Sequence, residues 1–238
     1  MIGLGTIVNS IAVIVGCIVG LFIKKGISPR FEDIIMKALG TSVIFIGVSG
    51  ALCGLLTFDN GKLSTKGTML MIASLVIGSI IGEALRIEDR LNSIGEKLQK
   101  KVKVGDNSHF VEAFVTYTLI ICVGAMAIVG AINDGLLGDY STLFAKSILD
   151  AITGMVFAST LGIGALFAVI PMAIYQGSIT LFAGFVEPYL TDTLVSDMSY
   201  VGSILIFTVG INLAFKNKFK TGNMLPAILV PVVYNLLF

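Results

Sequence analysis

A small set of side chains in this chain could hold an ion, a proton or a polar solute inside otherwise apolar surroundings: Asn9, Asn133, Asp134, Asp150, Gln176, Asn212 and Asn223. An amide or carboxylate in hydrocarbon is costly unless it meets a partner or water, so such residues should face one another or a wet cavity. Asp150 is the sharpest case. Lys146 precedes it by four residues and falls on the same helical face, which leaves two readings: a structural ion pair near an outer mouth, or a solute or proton site. Thr153, Ser159 and Thr160 extend a hydroxyl-bearing stretch along the same helix, as a hydrated path would require. Gly162, Gly164 and Pro171 would let the next turn unwind and present free carbonyls to a cation or a helix N-terminus to an anion. The centre is expected where Asn9, Asp150, Gln176 and Asn212 converge. For each lone Asn, an interhelical hydrogen bond is the simpler role.

Other chemistries lack their parts. His109 is the single histidine, with no Ser-His-Asp, Cys-His or metal-ligand spacing around it. Cys17, Cys53 and Cys122 sit among apolar neighbours, in a pattern of small packing residues and not of a disulfide framework. No glycine-rich loop ends in Lys-Ser or Lys-Thr, which argues against nucleotide-driven work by this chain. An enzyme is therefore not expected, nor a cofactor, a metal or a nucleic-acid partner.

The elements that must position these residues are membrane helices. The chain is 55% hydrophobic and 13% charged, and the charges cluster between apolar runs. Met1 to Ile23, Ile34 to Leu56, Gly67 to Leu85, Phe110 to Ile132, Leu143 to Phe167, Val169 to Val186, Tyr200 to Phe215 and Gly222 to Phe238 each approach the roughly 17–25 residues a spanning helix needs. This predicts an all-α polytopic transmembrane bundle of about eight helices, or seven if the last run, interrupted by Pro226 and Pro231, does not cross. The 238 residues are read as a single integral membrane domain. Met1 to Ile23 has no basic residue ahead of its core and is followed by Lys24 and Lys25, so the first helix is expected to stay in the protein.

Cation placement predicts orientation. If the first helix runs inward, the loops around Lys24, Lys25, Arg30 and Lys37, around Arg86 to Lys103, and around Lys216, Lys218 and Lys220 are all cytoplasmic, which puts thirteen of sixteen cations inside. Both termini then lie outside, with Lys62, Lys66 and Lys146 and the acidic stretch of Glu187, Asp192 and Asp197. Tyr140, Tyr189 and Tyr200 fall near that outer boundary. Between Arg86 and His109, Ile87, Leu91, Ile94 and Leu98 recur at helical spacing, which predicts an amphipathic helix over 87–102 on the inner surface. Gly16/Gly20, Gly50/Gly54 and Gly78/Gly82 have the small-xxx-small spacing that lets helices approach closely, and such faces could equally seat a homodimer. The series Gly5-Thr6, Gly16, Gly20 recurs as Gly67-Thr68, Gly78, Gly82, shifted by 62 positions, as in a weak internal repeat.

The segments GTIVNSIAVIVGCIVG at the start, CVGAMAIVGAINDGLLGD from Cys122, AKSILDAITGMVFASTLGIGALF from Ala145, YQGSITL from Tyr175 and GNMLPA from Gly222 resemble the bacterial YdfK/YqgA family of uncharacterised membrane proteins. The resemblance covers essentially the whole chain. It implies a polytopic inner-membrane protein, often described as a transport protein, and names no substrate. Two function classes follow: a passive or ion-coupled pathway for a small solute or ion lined by the seven residues above, or a non-transport membrane component of assembly, lipid interaction or signalling in which those residues lock helices together.

Overall fold

The computed structural model describes residues 2–24, 29–59, 61–102, 109–122, 125–186, 188, 191–215 and 219–237. Lys25, Lys103, Glu187, Tyr189, Lys216 and Lys218, which entered the orientation reading, lie outside the described residues.

Among the described residues the chain is a succession of helices with one small hairpin. In order these are α1 (Leu4–Lys24), α2 (Pro29–Leu55), β1 (Leu56–Asp59), β2 (Lys62–Thr65), α3 (Thr68–Leu85), α4 (Ile87–Val102), α5 (Phe110–Cys122), α6 (Ala125–Leu137) and α7 (Ser141–Thr160). A 3-10 helix (Ile163–Ala168) follows, then α8 (Val169–Leu181), the single turn α9 (Ala183–Val186), α10 (Asp192–Phe215) and α11 (Thr221–Met224). A second 3-10 helix (Leu225–Leu229) leads into α12 (Val230–Leu237). Among the described residues, six helices are long and apolar enough to cross a membrane, and seven if the bent pair α5–α6 is one span. The all-α polytopic class stands; the expected eight or seven spans compare with six or seven among the described residues.

The differences have local causes. The fourth run divides into α5 and α6, which bend by 61°. The fifth span ends at Thr160, earlier than Phe167, because Gly162 adopts φ 95°, ψ −158°, a conformation open in practice only to glycine. The chain then turns through the 3-10 helix straight into α8. Pro171 does not break this segment: it is the third residue of α8, close to its junction with the 3-10 helix. In the last run the 3-10 segment with Pro226 at its start separates two short helices, so no helix of spanning length forms there. The antiparallel pairing of β1 and β2 turns at Gly61, φ 76°, where Asn60-Gly61 carries the sequence signal of a tight hairpin.

The chain forms two compact units, each assembled from early and late segments: unit 1 holds Met1–Ile35 and Asn92–Leu190, unit 2 holds Met36–Leu91 and Thr191–Phe238. In unit 1, α1 is two-faced. Ile7, Ile11, Val15, Ile18 and Phe22 are exposed at helical spacing, as a lipid-facing stripe must be, while Asn9, Val13 and Cys17 on the other face are wholly buried. On that buried face Gly16 and Gly20 lie against α7, and a Cβ at either would come within 2.2 Å of the carbonyl oxygen of Ala151 or Met155. In unit 2, Gly78 and Gly82 do the same against the amide nitrogen of Ala227 and the carbonyl of Asn223, at 2.2 and 1.8 Å. Gly50 and Gly54 meet Ser203 and Tyr200 of α10. All three small-residue faces thus serve helix contacts within the chain. α4 forms where the amphipathic pattern placed it, with Gly95 buried against Val111 and Phe114.

Candidate functional site

Unit 1 buries a connected group of polar side chains from α1, α7 and α8. Asn9 lies about 8 Å along α1 from its start, and Asp150 about 14 Å along α7, taking the α-helical rise. Asn9 and Gln176 are 0% exposed, Lys146 6% and Asp150 7%. The Asn9 amide uses both its N–H donors: Nδ2 donates to Asp150 Oδ2 at 3.0 Å and to Gln176 Oε1 at 3.1 Å, with Met172 Sδ at 3.6 Å. The amide orientation follows from charge, since only Nδ2 can donate to a carboxylate. Lys146 donates to the same Asp150 Oδ2 and, at 2.8 Å, to the carbonyl of Ile121. Tyr117 fixes the backbone beneath by donating to the Asp150 carbonyl at 2.6 Å.

Each of these positions has a local reason. Lys146 and Asp150 are one turn apart on α7, so they pair without backbone adjustment. Ile121 is the penultimate residue of α5, and carbonyls in the last turn of a helix have no intrahelical donor. The Lys146 ammonium therefore caps α5 at the negative end of its dipole while it pairs with Asp150. The group can solvate a charge, exchange a proton through Asp150, or lock three helices. It is not fully satisfied: Asn9 Oδ1 and Gln176 Nε2 are buried with no hydrogen-bond partner among the described residues.

Of the residues that the sequence singled out, the structure brings together Asn9, Asp150 and Gln176. Asp134 is also buried in unit 1 but acts at the start of α1, where its two carboxylate oxygens accept the N–H groups of Gly3 and Gly5 at 3.1 and 3.0 Å. A carboxylate there satisfies orphan donors at the positive end of the helix. The carbonyl of neighbouring Asn133 accepts the N–H of Asp139 at 3.2 Å. Asp139 in turn accepts the Ser141 N–H, a bond that holds its carboxyl below the usual aspartate range. Thr153 and Thr160 donate to carbonyls of their own helix, as does Ser159, so the hydroxyl stretch expected beside Asp150 is closed on itself.

Asn212 and Asn223 belong to unit 2. Asn212 accepts the Phe219 N–H at 2.8 Å and donates to the Phe219 carbonyl at 2.7 Å, closing the loop after α10. Asn223 donates to Glu83 at 2.6 Å and accepts the N–H of Glu88 at 2.7 Å, while the Glu88 carboxylate accepts the Gly222 N–H at 2.9 Å. Two helix starts thus cap each other: Asn223 of α11 serves α4, and Glu88 of α4 serves α11. Burial raises the Glu88 carboxyl above the ordinary glutamate range, partly offset by the Gly222 N–H and by Lys220. Lys220, paired with Glu83 at 2.9 Å, is raised mainly by that hydrogen bond.

Sequence reasoning weighed Lys146 only as a neighbour of Asp150 and did not connect Tyr117 or the Ile121 carbonyl to it. No pattern in the chain could have revealed the last, because a free carbonyl is created by where α5 ends.

The family model described as "Protein of unknown function (DUF554)" matches residues 4–236. The chain is 35% identical to "Uncharacterized membrane protein YdfK" of Bacillus subtilis (strain 168), over 96% of this chain and 94% of that protein. It is 29% identical to "Uncharacterized protein YqgA" of Escherichia coli (strain K12), over 95% and 94% respectively. No solved structure matches.

Proposed function

The chain belongs to the DUF554 family, whose relatives include a protein named for the membrane, and from that premise we propose that it provides a pathway for a small ion or solute across the cell membrane, centred on Asn9, Lys146, Asp150 and Gln176. The observation that carries this reading is the incomplete satisfaction of a buried polar group at membrane depth. A seam built only to hold helices together closes its hydrogen bonds, because an unpaired amide atom in hydrocarbon opposes folding. Here Asn9 Oδ1 and Gln176 Nε2 remain open to a ligand. The helix ends at Cys122 and Thr160 in the same unit are of the kind that membrane proteins keep where irregular backbone lines a cavity or is buried in protein. Under the cation-based orientation, the N-terminus and the start of α7 face the extracytoplasmic side.

One observation favours the structural alternative: Lys146 and Asp150 form a buried ion pair that joins α7 to α5 and α1. The two readings separate in purified protein reconstituted into liposomes and screened for flux of inorganic ions and small polar solutes. With Lys146→Gln and Asp150→Asn combined, the pathway reading expects a folded protein with flux lost or altered. Unchanged flux in that double variant would assign the pair a structural role only.

A further inference from the structure

Four buried polar atoms of unit 1 have no hydrogen-bond partner among the described residues, and they form a pattern: Thr6 Oγ1 and Asn9 Oδ1 on α1, Gln176 Nε2 and Thr180 Oγ1 on α8. Thr6 and Thr180 are 8% and 3% exposed. Each pair is spaced by three or four residues and so lies on one face of its helix, and the Asn9–Gln176 hydrogen bond brings the two faces together. The threonines sit one turn away from the amides. Consecutive residues of α6 place them at the same end: Asp134 binds the N–H of Gly5, next to Thr6, and a Cβ on Gly135 would lie 2.4 Å from the Thr180 carbonyl oxygen. The hydroxyls therefore flank the N-terminal end of α1, the amides lie a turn deeper, and the Asp150 carboxylate follows.

Several helical hydroxyls elsewhere in this chain are satisfied within their own helix, although Ser74 of α3, in unit 2, is buried without a partner among the described residues. Ser10, Thr118, Ser147 and Ser178 each donate to the carbonyl four residues earlier. Thr180, two residues after Ser178 on the same helix, does not, although a helical threonine has that acceptor within reach. Four such groups left dry together would offset a large part of a domain's net stability, whereas a water with two to four polar partners satisfies them.

We infer that Thr6, Asn9, Gln176 and Thr180 line a narrow file of water that runs from the N-terminal end of α1 to Asp150 and lets its carboxylate exchange protons with the aqueous phase. This rests on the reading of Asp150 as the centre of the pathway and names water and the hydrated proton as what enters there. Among the described residues both hydrogen bonds to the Asp150 side chain fall on Oδ2, which leaves Oδ1 for the last water. A hydronium at the open end gives a proton to its neighbour, each O–H bond breaks as the next forms, and the last water protonates the carboxylate to the neutral acid; the reverse sequence returns the proton. The groups that face Asp150 are Lys146 on its own helix, Tyr117 and Cys122 on α5, and the neutral amides of α1 and α8.

Met172, wholly buried and 3.6 Å from Asn9 Nδ2, is a built-in reporter. Radiolytic hydroxyl labelling of the intact protein in liposomes, read by mass spectrometry, should oxidise Met172 about tenfold faster than expected for a dry core side chain, because internal water supplies the radical. Thr6→Val with Thr180→Val should return Met172 to the dry rate without loss of fold. Slow labelling of Met172 in the unmodified protein overturns the inference. So does unchanged labelling in the double variant, accompanied by a raised Tm from the loss of two dry hydroxyls. Proton flux measured in the same liposomes with an internal pH dye separates this inference from the proposed function. Fast, threonine-dependent labelling without flux of any tested solute supports the water file and refutes the transport pathway.

Discussion

At the residue scale, the energetics of unit 1 turn on the Lys146–Asp150 pair and what surrounds it. Removing one partner strands the other charge in a site that is nearly closed to solvent, whereas replacing both removes the charges together. Asp150→Asn alone should therefore cost about 3–5 kcal/mol, read as a fall in Tm in detergent, and addition of Lys146→Gln should recover most of that loss. If the single variant is as stable as the parent protein, the pair is solvated and the buried geometry is not what holds α7 to α5. Asp134 makes a different contribution, since it is wholly buried yet neutralises the donors of Gly3 and Gly5 at the start of α1. Asp134→Ala leaves both N–H groups without their acceptor and should cost about 1–3 kcal/mol, measurable in the same thermal assay without the rescue that Lys146→Gln provides for Asp150→Asn.

At the element scale, glycine sets how closely helices approach. Ala151 and Met155 present carbonyls to Gly16 and Gly20 at distances that no side chain can enter, and a carbonyl cannot rotate away as a flexible side chain would. Gly16→Leu should destabilise by at least about 1–3 kcal/mol through overpacking and reduce the yield of monodisperse protein; an unchanged Tm would mean that α1 and α7 do not pack through this face. The mutual capping of α4 and α11 responds to pH. Burial raises the Glu88 carboxyl, so the folded state holds that proton more firmly than the unfolded chain does. Its contribution is fully present below the ordinary glutamate range and is lost as pH rises through the higher folded value. Glu88→Gln should flatten the dependence of Tm on pH across that window, and a slope identical to the parent's would remove Glu88 as its source.

At the scale of the whole molecule, polytopic insertion follows from six or seven apolar helices, and the proposed orientation follows from the cations between them. The N-terminus outside and α4 inside predicts that Lys97→Cys, placed in a protein lacking Cys17, Cys53 and Cys122, is labelled by an impermeant thiol reagent only after the membrane is opened. Labelling of that cysteine in intact cells would reverse the orientation, and the water file of unit 1 would then open to the cytoplasm.

Composition and the length of the apolar runs determined that this is an all-α membrane protein, because hydrocarbon admits only backbones whose hydrogen bonds close within the segment or within a barrel. They also marked Asn9, Asp150 and Gln176, since a polar side chain in such a run needs a partner whatever the fold. Which partner it finds was decided by tertiary structure. Asn212 and Asn223 had the same sequence signature as Asn9, yet they bind loop and helix-start backbone in unit 2. The sequence offers Gly162, Gly164 and Pro171 together as the place of the turn, and tertiary structure selects Gly162, because a glycine breaks a helix only where its φ becomes positive. Thr6 and Thr180 looked like ordinary helical hydroxyls. Only the packing of α1, α6 and α8 left them with no acceptor, because satisfaction of a hydrogen bond is a property of distances between elements and not of the residues themselves.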